Sequence, residues 1–291
     1  MRVAIHGKIF QKEVRKHIQD LFLWFSKNEV EVCVSHSFFK ILKKASIKNL
    51  PDTLYNLGDD LSSCDFFLSL GGDGTLLESV THVGSTEVPI VGFNTGRLGF
   101  LATNSPDSVR EVMKNLQAGY YQIEERTLLH LECNKNIFDG LNFALNDFTI
   151  TKRDSASMIT VHTYIDGEYL NSYWSDGLII ATPTGSTGYS LSCGGPLILP
   201  RSNNFVITPV SPHNLTVRPM VISDESVISF EIEGRSKNFL VSLDSRSRVI
   251  DASVQLAVSK EKFKAKLVKL NETNFLDTLR SKLNWGWDAR N

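Results

Sequence analysis

Apolar residues at Val14, Ile18, Leu21, Phe22 and Phe25 recur at three- and four-residue spacing. This stripe predicts a helix over 11–27 with one buried face. Before it, residues 3–5 form a short apolar strand. After it, residues 29–35 alternate, with Val30, Val32 and Val34 on one face. Residues 65–70 are a further apolar run, which ends in Gly71-Gly72-Asp73-Gly74-Thr75. Residues 75–83 read as a helix and 88–93 as another strand. The glycine-punctuated stretch Asn94-Thr95-Gly96-Arg97-Leu98-Gly99 follows. Strand and helix in alternation predict a mainly parallel sheet with right-handed crossovers. In such sheets ligands bind beyond the carboxyl ends of the strands, where the Gly71 turn falls.

Ser105 as N-cap and Pro106 at the first helical position open one more helix, which closes near Gly119. The character then changes. Residues 120–270 read as short β segments, with strands expected at 146–152, 177–182, 205–210, 226–232, 239–243 and 253–258. Ile165-Asp166-Gly167-Glu168 is a hairpin turn between alternating runs. A last helix, 273–284, carries Phe275, Leu276, Leu279 and Leu283. The predicted fold is an α/β N-terminal domain (residues 1–110) with a mainly parallel, Rossmann-like sheet. A β-rich, β-sandwich-like C-terminal domain follows over 111–270.

Composition changes this picture little. The chain has 291 residues, of which 42% are apolar and 22% charged, an ordinary globular balance. A net charge of −1 leaves no broad positive field for a nucleic-acid backbone, so no nucleic-acid partner is expected. Cys33, Cys64, Cys133 and Cys193 form no C-x-x-C pair, and no H-E-x-x-H accompanies them. No metal ligands are therefore assigned. The N-terminus runs straight into a strand without a signal-peptide pattern, and no apolar run approaches the roughly 20 residues of a membrane span. A cytoplasmic location without membrane contact is expected.

The chemistry concentrates in a few places. Gly71 to Thr75 lies between a buried strand and a helix, where glycines can take positive φ and N–H groups can face a phosphate. The pattern is neither Walker A nor G-x-G-x-x-G. Asp73 would repel phosphate, so it suits a general base or a share in holding Mg²⁺. The plain alternative is a tight turn whose Asp bonds its own backbone. Asn146-Asp147 sits inside the apolar stretch 143–150. The pair reads either as a ligand-binding site or as a strand-end cap. Residues 176–200 run from Asp176 through a strand into a turn dense in glycine and hydroxyls, with Tyr189 as a flat aromatic face. This reads as a ligand loop. Thr184-Gly185-Ser186-Thr187-Gly188 lacks the spacing of a hydrolase elbow. His213, between prolines, reads as structural. Asp244 either binds a ligand or pairs on the surface with Arg246 or Arg248.

Together these residues resemble the NAD kinases, also called ATP-NAD kinases. The resemblance rests on G-G-D-G-T at 71–75 and on Asn146-Asp147. It also rests on D-G-x-x-x-x-T-P-T-G-S-T-x-Y at 176–189, followed by S-x-G-G-P at 192–196. It implies 2′-phosphorylation of the adenosine ribose of NAD, with ATP and Mg²⁺ as donor and a homo-oligomer, dimer or tetramer. It implies Asp73 as general base and Gly74 close to the substrate. Asn146 and Asp147 would bind NAD hydroxyls and base, and Asp176 the nicotinamide end. Thr187, Gly188, Tyr189, Ser190, Leu191 and Ser192 would line the dinucleotide. The resemblance also has the last helix, within 271–291, return to the first domain, with the site between the domains.

The chain departs from the family pattern in four places. The acid after Asn146 is Asp where many members have Glu. Residue 188 is Gly rather than Ala. Asp244-Ser245-Arg246 stands where D-G-Q is usual, and Trp174-Ser175 precede Asp176 in place of a basic or small lead-in. ATP against polyphosphate, and NAD against NADH, stay open. Two other readings were weighed. A diacylglycerol-type lipid kinase shares G-G-D-G-T, but the sequence offers no basic amphipathic helix for a membrane surface. A non-catalytic dinucleotide-binding regulator would keep 176–192 but have no need of Asp73.

Overall fold

The structure is a computed structural model that describes residues 1–96, 99–153, 157–270 and 274–285. Arg97 and Leu98 of the second glycine stretch lie outside the described residues, as do 271–273 and 286–291 of the C-terminal segment.

In chain order the first elements are β1 (Arg2–Gly7), α1 (Arg15–Lys27), β2 (Glu31–Ser35), α2 (His36–Lys44), β3 (Leu54–Tyr55) and β4 (Phe66–Gly71). Then come α3 (Asp73–Val83), β5 (Ile90–Asn94), α4 (Val109–Ala118) and β6 (Gln122–Arg126). A run of strands follows: β7 (Leu129–Cys133), β8 (Phe143–Ala144), β9 (Asp147–Lys152), β10 (Ile159–Ile165), β11 (Glu168–Ser175) and β12 (Gly177–Ala181). The short α5 (Tyr189–Ser192) precedes β13 (Asn204–Val210), β14 (Met220–Ser223), β15 (Ile228–Gly234), β16 (Asn238–Leu243), β17 (Arg246–Asp251) and β18 (Leu256–Lys260). The described chain closes with β19 (Ala265–Lys269) and α6 (Phe275–Leu283).

Two compact units result: residues 1–125 with 265–291, and residues 126–264. The first holds a seven-stranded sheet in the order β3-β2-β1-β4-β5-β19-β6. Its β1–β2, β1–β4, β2–β3, β4–β5 and β5–β19 pairs are parallel. One face carries Val3, Ile5, Phe66, Leu68, Leu70, Val91 and Phe93. It is covered by the α1 stripe, by Phe38 and Leu42 of α2, and by Val109, Val112, Met113 and Leu116 of α4. Helix α3 lies on the opposite face, where Gly92 leaves room for Leu76: a Cβ on Gly92 would meet Leu76 at 2.8 Å.

Three features depart from the sequence expectation. Helix α2 was not foreseen, although Ser35 caps it by accepting from the Phe38 N–H at 3.4 Å. Phe38 and Leu42, four residues apart, bury its short stripe. The division between units falls at 125/126 rather than 110/111, because α4 belongs to the first core and β6 extends the first sheet. For the same reason β19 pairs with β5 and not with the strands that precede it in the chain. A run of alternating residues announces a strand but does not name its partner.

The second unit is two six-stranded sheets, ordered β11-β10-β15-β18-β7-β8 and β14-β13-β12-β9-β16-β17. Their inner faces share one core, with Phe148, Ile150, Leu178, Ile180, Phe205 and Phe239 from one sheet and Leu129, Val161, Ile228, Phe230 and Val258 from the other. This is the sandwich arrangement. The β10–β11 hairpin turns through Asp166 and Gly167, both at positive φ (53° and 85°), as a two-residue turn of the I′ kind requires. Strand β12 is buried on both faces. Its outer side, with Val206 and Val210, is covered by the segment around Cys193 and Ile198. Among the described residues no helix is long and apolar enough to cross a membrane.

Phe148 is fully buried, with its ring 5.7 Å from that of Phe230 in the facing sheet. Phe148→Ala is expected to cost about 3–5 kcal/mol of stability, read by urea unfolding. A loss below about 1 kcal/mol would show that the sandwich core does not depend on this contact.

Candidate functional site

In the first unit the site forms where β4 and β5 end side by side. Gly71 pairs with Asn94, and the Thr95 N–H donates to the Gly71 carbonyl at 3.1 Å. Both glycine stretches thus lie beyond the carboxyl ends of adjacent parallel strands. The glycines of the first turn serve different ends. Gly71 is required by packing, since a Cβ there would sit 2.1 Å from Thr75 Oγ1. Gly72 and Gly74 would meet nothing within 4 Å. None of the three adopts positive φ, contrary to the expectation for this turn. Among the described residues none places a steric demand on Gly72 or Gly74.

Asp73 opens α3. Its Oδ2 accepts from the Phe100 N–H at 2.6 Å, and its Oδ1 accepts from the Leu101 and Ala102 N–H groups at 3.0 Å each. The local Asp turn is therefore not what forms; the bonds reach 27–29 residues along the chain. Gly99 makes this approach possible, because a Cβ there would lie 1.8 Å from Asp73 Oδ1. Farther along α3, Glu78 meets His6 Nε2 at 3.2 Å and Lys8 Nζ at 3.1 Å. The His6 bond, helped by Lys8, brings Glu78 down to about 2. His6 Nδ1 in turn meets Ser35 Oγ at 2.8 Å. This chain of contacts ties the helix that carries Asp73 to β1.

In the second unit Asn146 and Asp147 stand at the start of β9. Alternation sends Phe148 and Ile150 into the sandwich core, so Asp147 and Thr149 face the other side, toward the 182–198 segment. That segment is seated on the Asn146 backbone. The Thr182 N–H donates to the Asn146 carbonyl at 2.9 Å, and the Thr182 hydroxyl donates to the Leu145 carbonyl at 2.6 Å. Gly185 packs so closely that a Cβ would lie 2.0 Å from the Asn146 carbonyl oxygen. A Cβ on Gly188 would lie 3.7 Å from Asn146 Nδ2 and 3.8 Å from Asp147 Oδ2. Asn146, Asp147 and Gly188 thus converge.

The polar atoms at this point are not used up internally. Asn146 Oδ1 is buried and has no partner among the described residues. Burial, with the Asp244 charge as the second cause, pushes Asp147 from the ordinary 3.8 to about 7. Asp176 pairs with Lys152 Nζ at 2.6 Å, just before β12. Tyr189 is exposed, and its hydroxyl is pushed up by partial burial and the Cys193 thiol, with Asp176 and Asp147 as lesser causes. Thr187, Gly188 and Leu191 are half-buried and Ser192 is exposed. Ser190 differs from its neighbours: it is fully buried and its hydroxyl bonds Thr208 at 2.8 Å. His213 packs its ring 4.3 Å from that of Trp174 and donates its N–H to the Trp174 carbonyl.

Of the residues singled out in the sequence, Asp73 and Gly74 belong to the first unit, and those from Asn146 to Ser192 to the second. Asp244 behaves as neither expectation held. Its carboxylate turns inward and accepts from the N–H groups of Leu145 (2.9 Å), Asn146 (2.7 Å) and Asp147 (3.2 Å). Arg246 donates to the carbonyls of Leu141 and Phe143, and Arg248 pairs with Asp139. The 99–102 segment that holds Asp73 was also missed. Its one sequence signal is Gly99. Among the described residues no group of three or more His, Cys, Asp or Glu side chains could hold a metal ion.

Comparison with known proteins bears on the whole chain. Residues 3–121 match the ATP-NAD kinase N-terminal domain and residues 145–270 the ATP-NAD kinase C-terminal domain. A protein of Cytophaga hutchinsonii named NAD kinase is 53% identical, with 100% of each chain covered. One from Flavobacterium psychrophilum with the same name is 44% identical over 100% of each. Among solved structures, yeast NADH kinase complexed with NADH superposes with a TM-score of 0.84 at 26% identity, covering 99% of this chain and 89% of that one. An NAD kinase from Archaeoglobus fulgidus in complex with ATP gives 0.75 at 28% identity, covering 98% and 99%.

The raised Asp147 makes a stability prediction with a definite sign. Its folded value lies above its unfolded one, so the stability it contributes is complete below about pH 4 and is lost as pH rises through about 7. Asp147→Asn cannot ionise. It should be more stable than the parent at pH 8, by up to about 4 kcal/mol for a shift of about three units, and nearly equal to it near pH 4. Thermal unfolding at both pH values measures this. A variant no more stable than the parent at pH 8 would refute it.

Proposed function

The chain belongs to the ATP-NAD kinase family, and from that membership we infer that it phosphorylates NAD. The reaction transfers the γ-phosphoryl group of ATP to the 2′-hydroxyl of the adenosine ribose, giving NADP and ADP. The observation that carries the reading is the convergence of the Asn146 side chain, the Asp147 carboxylate and Gly188. Among the described residues neither Asn146 Oδ1 nor the Asp147 carboxylate has a hydrogen-bond partner, and an exposed aromatic face stands at Tyr189. Ribose hydroxyls can donate to both groups, and a ring can lie on Tyr189.

We assign Asp73 as the general base. A carboxylate offers about four lone-pair sites. Among the described residues Oδ1 accepts two N–H bonds, whereas Oδ2 accepts only the one from Phe100. Oδ2 therefore keeps a site for the proton of the attacking hydroxyl. The three N–H groups fix its position before the substrate arrives, which is what a positioned base needs. Gly74, with nothing above it, lets the substrate close on the turn. Asn146 and Asp147 take ribose and base, Asp176 the nicotinamide end. Thr187 to Ser192 line the dinucleotide, with Ser190 contributing through its backbone because its hydroxyl is engaged by Thr208.

Mg²⁺ enters as part of the ATP substrate, held mainly by phosphate oxygens as this ion ordinarily is. It neutralises charge on the transferring group. We further propose a cytoplasmic, homo-oligomeric enzyme, dimer or tetramer. Four free cysteines suit a reducing compartment.

The decisive assay incubates the pure protein with NAD, ATP and Mg²⁺ and measures NADP. Asp73→Asn should lower kcat by about 10²–10⁴ with the Kd for NAD nearly unchanged. Turnover near the parent rate, with NAD still bound, would remove Asp73 from the role of base.

A further inference from the structure

The segment that presents Asn146 and Asp147 is gripped from one side by the turn between β16 and β17. Three consecutive N–H groups, from Leu145, Asn146 and Asp147, converge on the Asp244 carboxylate. The Asp244 N–H returns a bond to the Asp147 carbonyl at 3.0 Å. Two residues on, the Arg246 guanidinium donates to the carbonyls of Leu141 and Phe143 and lies near the faces of the Phe138 and Phe143 rings. The anion of the pair collects donors and the cation collects acceptors from one stretch, 141–147. Asp244 reaches this geometry from the left-handed region (φ 53°), where a non-glycine residue is uncommon.

We propose that Asp244 and Arg246 are positioning residues for dinucleotide binding: they fix the backbone of 141–147, so that Asn146 Oδ1 and the Asp147 carboxylate stay turned to the substrate and free of internal donors. The proposal rests on the NAD-binding reading of that pair. Without the Asp244 carboxylate, three N–H groups would need other acceptors. Asn146 Oδ1, buried without a partner among the described residues, and the Asp147 carboxylate belong to the same stretch, and they are the two groups the substrate is to use. Asp244 thus spares them.

The same carboxylate reaches Asp147 through its charge. The charged and titratable groups around Asp147 are Asp244 with Arg246 beside it, Tyr189 on α5, and Asp176, which is paired to Lys152. Across β9 the partner of Asp147 is the uncharged Ala181. Burial is the larger cause that opposes ionisation of Asp147, and the Asp244 charge is the second. Removing that charge should let Asp147 ionise at lower pH. A role confined to folding would not produce that shift.

The test compares the parent with Asp244→Asn and Arg246→Lys. KM for NAD, KM for ATP and kcat are measured from pH 5.5 to 8.5. For Asp244→Asn, KM for NAD should rise about tenfold or more at pH 8 while KM for ATP and kcat change less than about threefold. The acid limb of kcat/KM for NAD should move down by about one pH unit. Arg246→Lys keeps a positive charge but not the two-pronged donor, so it should raise KM for NAD and leave the limb in place. An unchanged KM for NAD and an unmoved limb in Asp244→Asn overturn the proposal, as does an equal loss toward both substrates. If Asp244→Asn does not fold, Arg246→Lys decides: a rise of about threefold or more in KM for NAD alone supports it, and no rise overturns it. If the parent itself makes no NADP, the activity reading falls separately. The Kd values of the parent and variants for NAD, by calorimetry, then decide the positioning proposal, and equal values overturn it.

Discussion

A carboxylate removed from water must be met by donors, and this fold meets two of its carboxylates in the same way. Asp73 takes the N–H groups of 100–102 and Asp244 those of 145–147. Each draws three successive backbone donors from a distant stretch of chain. Such bonds are charge-assisted and directional, so each fixes a backbone that otherwise has no regular ladder to hold it. In the first unit the fixed stretch follows Gly99. In the second it is the entrance to β9.

Asp147 is the counterpart to these two. It is buried with Asp244 as a like charge, and no donor among the described residues is bonded to its carboxylate, so it sits at about 7. The contrast separates roles that the sequence alone leaves alike. Asp73 and Asp244 are anchored acceptors, each with one oxygen that takes two N–H groups and one that takes a single N–H. Asp147 is left wanting a partner, which a substrate hydroxyl can be. Burial without a donor is a cost in stability, of the kind that concentrates at functional sites.

Much of the fold was legible. The 14–18–21–22–25 stripe, the apolar runs ending at Gly71 and near Asn94, and the Asp166-Gly167 turn are local patterns, and local geometry decides them. The sequence concealed whatever depends on a distant partner. Residues 122–126 and 265–269 look like any alternating strand, yet both join the first sheet. Helix α2 is short, with only Phe38 and Leu42 fully buried, too few for the stripe to stand out from the strand before it. In the site, Asp73 and Asn146-Asp147 stood out by residue type and spacing. The partners of Asp73 did not, because backbone N–H groups carry no sequence signature. Asp244 was visible as an acid near two arginines, and the expected ion pair was the wrong inference. Arg246 spends its donors on carbonyls instead.

The departure at Asp244-Ser245-Arg246 from the family's usual D-G-Q is then understandable in part. The acid is retained, and it is the acid that organises 145–147. An Arg in the third position offers a planar fork that can serve two carbonyls at once, in a place where the Leu141 and Phe143 carbonyls need donors. The shorter acid at 147 and the glycine at 188 stand at the same spot, where a Cβ on 188 would lie 3.2 Å from the Gly185 carbonyl oxygen and 3.8 Å from Asp147 Oδ2. Each is smaller by one carbon than the residue usual in the family. Together they widen the space above Asn146 without moving its backbone, since that backbone is set from the other side by Asp244. The side chains at 147 and 188 can therefore vary while the backbone beneath them is kept by the Asp244 carboxylate.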